Sequence, residues 1–239
     1  VYNLAVATRD PATLNFVNYH VGDTSTPQAI SLTNTAPADG YSDKLDATIG
    51  GSAGLITAGS VSLLAVGAPA NYDMTVKINT SSAGAKAGTA TLGLTSNGLG
   101  TSGLGTTALA GQTVSITGGD VFALAATSSL PTTVNLTNVH VGGAFGTQAV
   151  AISNTGAGGA SYTEGLDAAA GTPTGQASSN GGSFADLRVG ADPNSNIVVG
   201  LNGSTYTGTA GLVTGTVPVT LTSNGAISGL APTILTGQA

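Results

Sequence analysis

The sequence predicts an all-β chain made by using one unit twice, and three observations carry that prediction. Residues 1–22, VYNLAVATRDPATLNFVNYHVG, return as residues 121–142, VFALAATSSLPTTVNLTNVHVG, at a shift of 120 residues. No window shows a sustained 3.6-residue apolar period; instead, short runs rich in Val, Ile, Thr and Leu are broken by Gly, Asn, Pro and Asp. Residues 28–35, QAISLTNT, alternate strictly, with Ile30 and Leu32 on one face and Ala29 and Ser31 on the other.

Taken in order, the first unit is expected to place strands near residues 12–16, 28–34, 45–49, 60–66, 72–79, 88–96 and 112–117. Their counterparts fall near residues 132–136, 148–154, 166–168, 183–189, 196–202 and 215–223, with an incomplete last one after Thr236. Agreement continues between the anchors: Tyr41 and Leu45-Asp46 match Tyr162 and Leu166-Asp167, Val66-Gly67-Ala68 matches Val189-Gly190-Ala191, and residues 94–98, LTSNG, recur as residues 221–225. The shift drifts where loops gain residues, because surface connections tolerate insertion. The Asn-Gly at the end of each LTSNG run tolerates positive φ and favours a tight turn. The expected division is 1–118 and 119–239, each long enough for its own core.

Composition narrows the function classes. Charged residues are 7% of the chain, against about 25% in ordinary soluble domains. The surface must then be mostly Thr, Ser, Asn, Gly and Ala, which suits packing against copies of itself or exposure outside the cell. A net charge of −6 without any Lys/Arg run disfavours nucleic acid. With no Cys there is neither a disulfide nor a thiolate metal framework. Apolar runs fall far short of the ~20 residues that span a bilayer as a helix. The chain starts with Val1 rather than Met and is expected to be a processed or excised piece of a longer, exported precursor.

Residues 11–22, PATLNFVNYHVG, followed by residues 28–35, together with residues 131–142 and 148–156, resemble the opening strands of Hydin-like (ASH-type) immunoglobulin-like domains. Residues 112–118, QTVSITG, are similar to that family's closing strand. Such modules occur in tandem in bacterial proteins labelled choice-of-anchor D, which are typically exported. The resemblance covers the ends of both units and is loose in the middle of each. It implies two tandem immunoglobulin-like β-sandwiches of about seven strands and carries no catalytic residues.

The second unit lacks its closing strand. Residues 103–112, GLGTTALAGQ, align with residues 229–238, GLAPTILTGQ; the first copy continues into TVSIT, and the second has only Ala239 left. Either the chain is a window on a longer array, a neighbouring molecule supplies the strand, or the edge is incomplete but stable. End-to-end continuity is the expectation. Residues 1–8 are the candidate donor, with Tyr2, Leu4 and Val6 on the bulkier face, and Ile234 and Leu235 are the candidate acceptor contacts.

The residues that could carry chemistry argue for structure instead. Gly98, Gly100 and Gly103 spell G-x-G-x-x-G, but a dinucleotide site needs a strand before and a helix after, and here a turn and a strand follow. Ser52 fits the G-x-S-x-G elbow without the strand-to-helix pattern that the elbow requires. His20 and His140, the only histidines, occupy the same place in each unit, as framework or junction residues would. Metal binding or pH sensing is the competing reading for them. Asp46 and Asp167 recur as a pair, which suits a turn-capping acid. The run from Asp192 to Asn196 opens like a calcium loop, yet Ile197 stands where Gly must turn and no Glu closes it. Without Trp or a local aromatic cluster, a sugar platform has no strong signal.

The expected function is that of a non-enzymatic extracellular structural protein, a module or subunit of a fibre, stalk or matrix whose partners are copies of itself, with no cofactor. The alternative is an adhesin or glycan-binding module reading a glycan or host surface through residues 36–41 and 171–182, where the units differ. A β-helix lyase ranks third, because the repeat is long where a solenoid's is near ~20 residues.

Overall fold

A computed structural model describes residues 1–127, 130–201 and 208–236. The chain is all-β, in several sheets, with one helical turn among the described residues, α1 (Gly159–Tyr162). It divides into Val1–Val121 and Phe122–Ala239, called unit 1 and unit 2 below.

Unit 1 contains β1 (Ala7–Asp10), β2 (Thr13–Phe16), β3 (Tyr19–His20), β4 (Gln28–Asn34), β5 (Lys44–Gly51), β6 (Leu55–Ala58), β7 (Ser60–Leu64), β8 (Asn71–Ile78), β9 (Gly88–Asn97), β10 (Thr106–Ala108) and β11 (Gln112–Gly118); β12 (Val121–Phe122) spans the boundary. One sheet has the order β1-β4-β8-β6 and the other β2-β11-β9-β5-β7, with β10 pairing the end of β9. The first strand thus serves both sheets. β1 runs antiparallel to β4; after the cis Asp10-Pro11 peptide, β2 runs parallel to β11.

The alternation in the sequence sets the packing. Ile30 and Leu32 of β4 and Met74 and Val76 of β8 are fully buried, as are Ala90 and Leu92 of β9, Leu45 of β5 and Val114 of β11. The inner residues of both sheets form a single cluster. Intervening Thr and Ser residues face outward, which is how so few charges suffice for a surface.

Unit 2 contains β13 (Thr147–Ile152), α1, β14 (Leu166–Ala170), β15 (Thr174–Gly175), β16 (Ala177–Ser179), β17 (Ser183–Leu187), β18 (Asn194–Leu201), β19 (Gly215–Thr216), β20 (Val219–Ser223) and β21 (Thr233–Ile234). Its sheets are β13-β18-β16, β17-β14-β20-β21 and β15-β19. The first two follow the orders β4-β8-β6 and β7-β5-β9-β10 of unit 1. Its core is smaller, with Val150, Ile152, Leu166, Ala168, Ile197 and Leu221 at the centre.

Two sequence expectations need correction. The expected strand at residues 132–136 does not form. Its counterpart β2 has β11 as its one strand partner, and no strand among the described residues of unit 2 corresponds to β11. The expected strand at residues 215–223 is split into β19 and β20 around Pro218, whose ring removes a ladder donor. The incomplete last strand was expected after Thr236 and lies outside the described residues.

Candidate functional site

The stretch that opens each unit is a strap tied to its own unit by the same five hydrogen bonds. In unit 1 the Asn3 N–H donates to the Tyr41 carbonyl (2.7 Å), Asp43 N–H to Asn3 carbonyl (3.0 Å) and Thr35 N–H to Val6 carbonyl (2.7 Å). Ala5 N–H donates to Ser96 Oγ (2.9 Å) and Val6 N–H to Asn34 Oδ1 (3.2 Å). In unit 2 the bonds are Ala123 to Tyr162 (2.8 Å), Glu164 to Ala123 (3.0 Å) and Thr155 to Ala126 (2.7 Å), with Ala125 N–H on Ser223 Oγ (3.0 Å) and Ala126 N–H on Asn154 Oδ1 (3.3 Å). Even the ring pairs correspond: Tyr2 with Tyr41 and Phe122 with Tyr162, both 5.6 Å between centroids.

The strap places the sequence-predicted contact residues. Ala5 is buried, while Tyr2, Leu4 and Val6 remain 40%, 48% and 49% exposed. The side chains on that face are available, but the backbone is already committed to unit 1. Ile234 is exposed, and Leu235 packs partly against the core of unit 2.

Beneath each strap lies a buried acid. Asp43 accepts the hydroxyls of Ser102 (2.7 Å), Thr101 (2.9 Å) and Ser96 (3.3 Å). The Ser102 hydroxyl is the largest influence holding its carboxyl below the ordinary 3.8; burial opposes this, and Thr101, the Ser102 backbone and Ser96 reinforce it. The G-x-G-x-x-G segment is therefore the turn that brings Thr101 and Ser102 to this carboxylate. Glu164 takes the position in unit 2, fully buried, with Oε2 accepting the Ile227 N–H (3.2 Å). Sequence reasoning missed this pair because one copy is Asp, the other Glu, and an inserted residue shifts the register. The signal was present in YSDKLD against YTEGLD.

Since Asp43 titrates lower in the folded chain than in the unfolded one, it contributes stability above the ordinary carboxylate range. Below pH 3.8 the unfolded chain takes up the proton first, and that contribution fades as the pH falls through the folded-state value. Asp43→Asn is expected to weaken unit 1 at neutral pH and to flatten its loss of stability on acidification. Denaturation curves at stepped pH check this, and an unchanged acid slope would refute it.

Asp46 and Asp167 were expected to cap a turn; each instead caps a bulge inside a paired strand, where the register of β5 on β7 and of β14 on β17 shifts. Asp46 accepts the N–H of Leu63 (2.6 Å) and Asp167 that of Asp186 (2.7 Å), and these N–H groups belong to the two non-glycine residues with positive φ among the described residues, 52° and 56°. Ser52 Oγ accepts the Thr89 N–H (3.1 Å), closing the end of β5 onto β9. Asn194 Oδ1 accepts the Asn196 N–H (2.9 Å), a local bond at the start of β18, where the calcium-like run ends. His20 donates its backbone N–H to Asp23 Oδ2 (2.7 Å), and the His140 carbonyl accepts the Gly143 N–H (2.8 Å). Among the described residues no three His, Asp or Glu side chains are grouped to hold a metal ion, and no helix is long and apolar enough to cross a membrane.

The loops set aside for recognition are built differently in the two units. Residues 36–41 are pinned by Asp39, which accepts from Asn3 Nδ2 (3.0 Å) and the Tyr41 N–H (2.8 Å), whereas α1 stands at the corresponding place in unit 2. Residues 171–182 carry β15 and β16.

In comparison with known proteins, the chain matches no family model and no curated protein.

Proposed function

We propose that the chain is a structural protein of the cell exterior, two immunoglobulin-like sandwiches in tandem that serve as a module or subunit of a fibre, stalk or matrix built end to end. The supporting observation is the strap: the same five hydrogen bonds, the same buried Asn and Ser and the same ring pair recur residue by residue. A module that carries its own strap can follow another without redesign, and length grows by addition. The split of the first strand between two sheets and the parallel β2–β11 pair favour the immunoglobulin-like reading, as does the resemblance to Hydin-like domains. The acids and hydroxyls that could carry chemistry are instead engaged in holding strap, strands and turns together.

Electron microscopy of native material tests this reading. Linear or sheet-like assemblies with a module-sized repeat are expected, whereas dispersed globular monomers under all conditions would refute it.

A further inference from the structure

Where the framework recurs and the side chains do not, the residues answer to something other than the fold, and three such places meet in one cleft of unit 1. With His20 matched to His140, Asp23 stands where unit 2 has Gly143. β4 on β8 pairs Ala29 with Thr75, and β13 on β18 pairs Ala149 with Val198, which sets Lys77 where unit 2 has Gly200. Ile56 of β6 lies opposite Lys77, and Ser178 of β16 opposite Gly200. A Cβ on Gly200 would already stand 3.0 Å from Ser178 Oγ, so the same place in unit 2 is crowded. Unit 1 instead has a cleft of about 360 Å³, within the range of small-ligand sites.

The walls of the cleft are tied in advance. The Gly22 N–H donates to the Thr80 carbonyl (3.0 Å), the Thr80 hydroxyl to the Asp23 carbonyl (2.6 Å) and the Ile78 N–H to Ser25 Oγ (3.0 Å). Asp23 Oδ2 accepts the His20 N–H (2.7 Å) and Asn79 Oδ1 the Ser81 N–H (3.1 Å). The other polar groups of the lining side chains have no partner among the described residues: the Lys77 ammonium, Asn79 Nδ2, Asp23 Oδ1 and the hydroxyls of Thr24 and Ser81. Lys77 is half-buried, between Val76 and Ile78, which turn into the core. It is one of five Lys and Arg residues in the chain. A half-buried cation without a partner costs the fold some desolvation and returns nothing to it.

The geometry points to this cleft as a binding site for a uronic-acid residue of a polysaccharide. The ligand brings one negative charge for Lys77, and only one, because Asp23 shares the cleft. It brings hydroxyls to exchange hydrogen bonds with Asn79, Thr24, Ser81 and Asp23, and a face of C–H groups to lie against Ile56, which is 40% exposed. A hexuronate ring has all three, whereas inorganic phosphate and sulfate have no C–H face and carry more charge. Asp23, Thr24, Ile56 and Ser81 are exposed, so the rim is open and a sugar chain can run on past the bound ring. A free amino acid suits such a rim less well, since its two charged ends would be screened by water. The site adds a hold on acidic polysaccharide to the structural role, and it lies within unit 1 alone, so it stands whether or not the chain assembles end to end.

Titrating the 239-residue chain with a galacturonic acid trimer, followed by amide NMR, tests this. Saturable shifts are expected at residues 22–25 and 77–81, with a Kd of about 1 mM, in line with a few polar contacts on an open surface, and none at Gly143, Ser178 and Gly200. The methyl-esterified trimer, which carries no carboxylate, is expected to bind at least about tenfold more weakly, and monomeric galacturonate more weakly than the trimer. Lys77→Gln is expected to lose about tenfold in affinity while its melting temperature stays within ~2 °C, because the side chain holds nothing in the fold; Lys77→Arg is expected to stay within about threefold. Equal binding of ester and acid, or of Lys77→Gln and the unaltered chain, would overturn the proposal, as would the absence of shifts at residues 22–25 and 77–81 up to ~10 mM trimer. Monomer that binds as tightly as trimer would overturn the polysaccharide as the source, and tighter binding of phosphate or of glycine would overturn the sugar acid itself.

Discussion

Asn34→Ala is expected to destabilise unit 1 by about 3 kcal/mol, since it strips partners from two buried and two part-buried backbone groups, the buried ones at about 1–3 kcal/mol each. Asn34 is 4% exposed and uses its whole amide. Nδ2 donates to the carbonyls of Asp43 (3.0 Å) and Leu64 (3.2 Å), and Oδ1 accepts the N–H groups of Val6 (3.2 Å) and Ala36 (3.3 Å). One side chain therefore joins the strap, the end of β4, the start of β5 and the end of β7. Asn154 does the same in unit 2, donating to Glu164 (2.8 Å) and Leu187 (2.9 Å) and accepting from Ala126 (3.3 Å) and Gly156 (3.1 Å). Asn34→Asp, nearly the same size, is expected to be almost as harmful, because it loses both donors and buries a charge. Urea denaturation followed by circular dichroism measures both variants, and a loss below about 1 kcal/mol for Asn34→Ala would be too small for a satisfied buried network.

Gly59→Ala is the second large effect, expected to cost about 3 kcal/mol or more through overpacking and a disfavoured φ together. Gly59 lies between β6 and β7, where the chain crosses from one sheet to the other, at φ +91°; a Cβ there would sit 1.9 Å from the Asp73 carbonyl oxygen. Gly182 holds the corresponding place before β17, and its Cβ would fall 2.1 Å from the Asn196 oxygen. Gly67 is the control, with a similar φ of +73° and nothing within 4 Å; Gly67→Ala is expected to cost only about 1–2 kcal/mol. Equal losses at Gly59 and Gly67 would show that φ alone matters and the close approach does not.

The strands that the sequence made legible are those whose alternation reports burial. Residues 28–34 and 88–96 read correctly because Ile30, Leu32, Ala90, Leu92 and Leu94 alternate with Thr, Ser or Gly. β1 and β6 were missed: the first is ATRD and the second LITA, four residues each with no fully buried position, so neither carries a strong local pattern. Residues 132–136 erred in the other direction. Their alternation is good, but a strand needs a partner, and strand propensity does not say whether one exists. The conspicuous motifs were read as structure, and in the fold Ser52 Oγ accepts the Thr89 N–H while Thr101 and Ser102 donate to Asp43. The residues that bind each unit together, Asn34, Ser96 and Asp43 with their counterparts, were visible only as parts of turns. Their partners lie 28, 91 and 53 residues away, a separation over which local reading carries no signal.

The parallel pairing of β2 with β11 has a consequence under load. These strands lie near opposite ends of unit 1 yet run side by side in the same direction, in register from Thr13 opposite Ser115 to Phe16 opposite Gly118. A pull that separates the ends of the unit draws the two strands past one another, so their hydrogen bonds bear the force together in shear instead of parting one by one like a zip. The Gln112 side chain donates to the Ala7 carbonyl (2.9 Å), tying the start of β11 to β1 in the other sheet. No parallel strand pair exists among the described residues of unit 2. Separating the ends of unit 1 loads the whole β2–β11 seam at once.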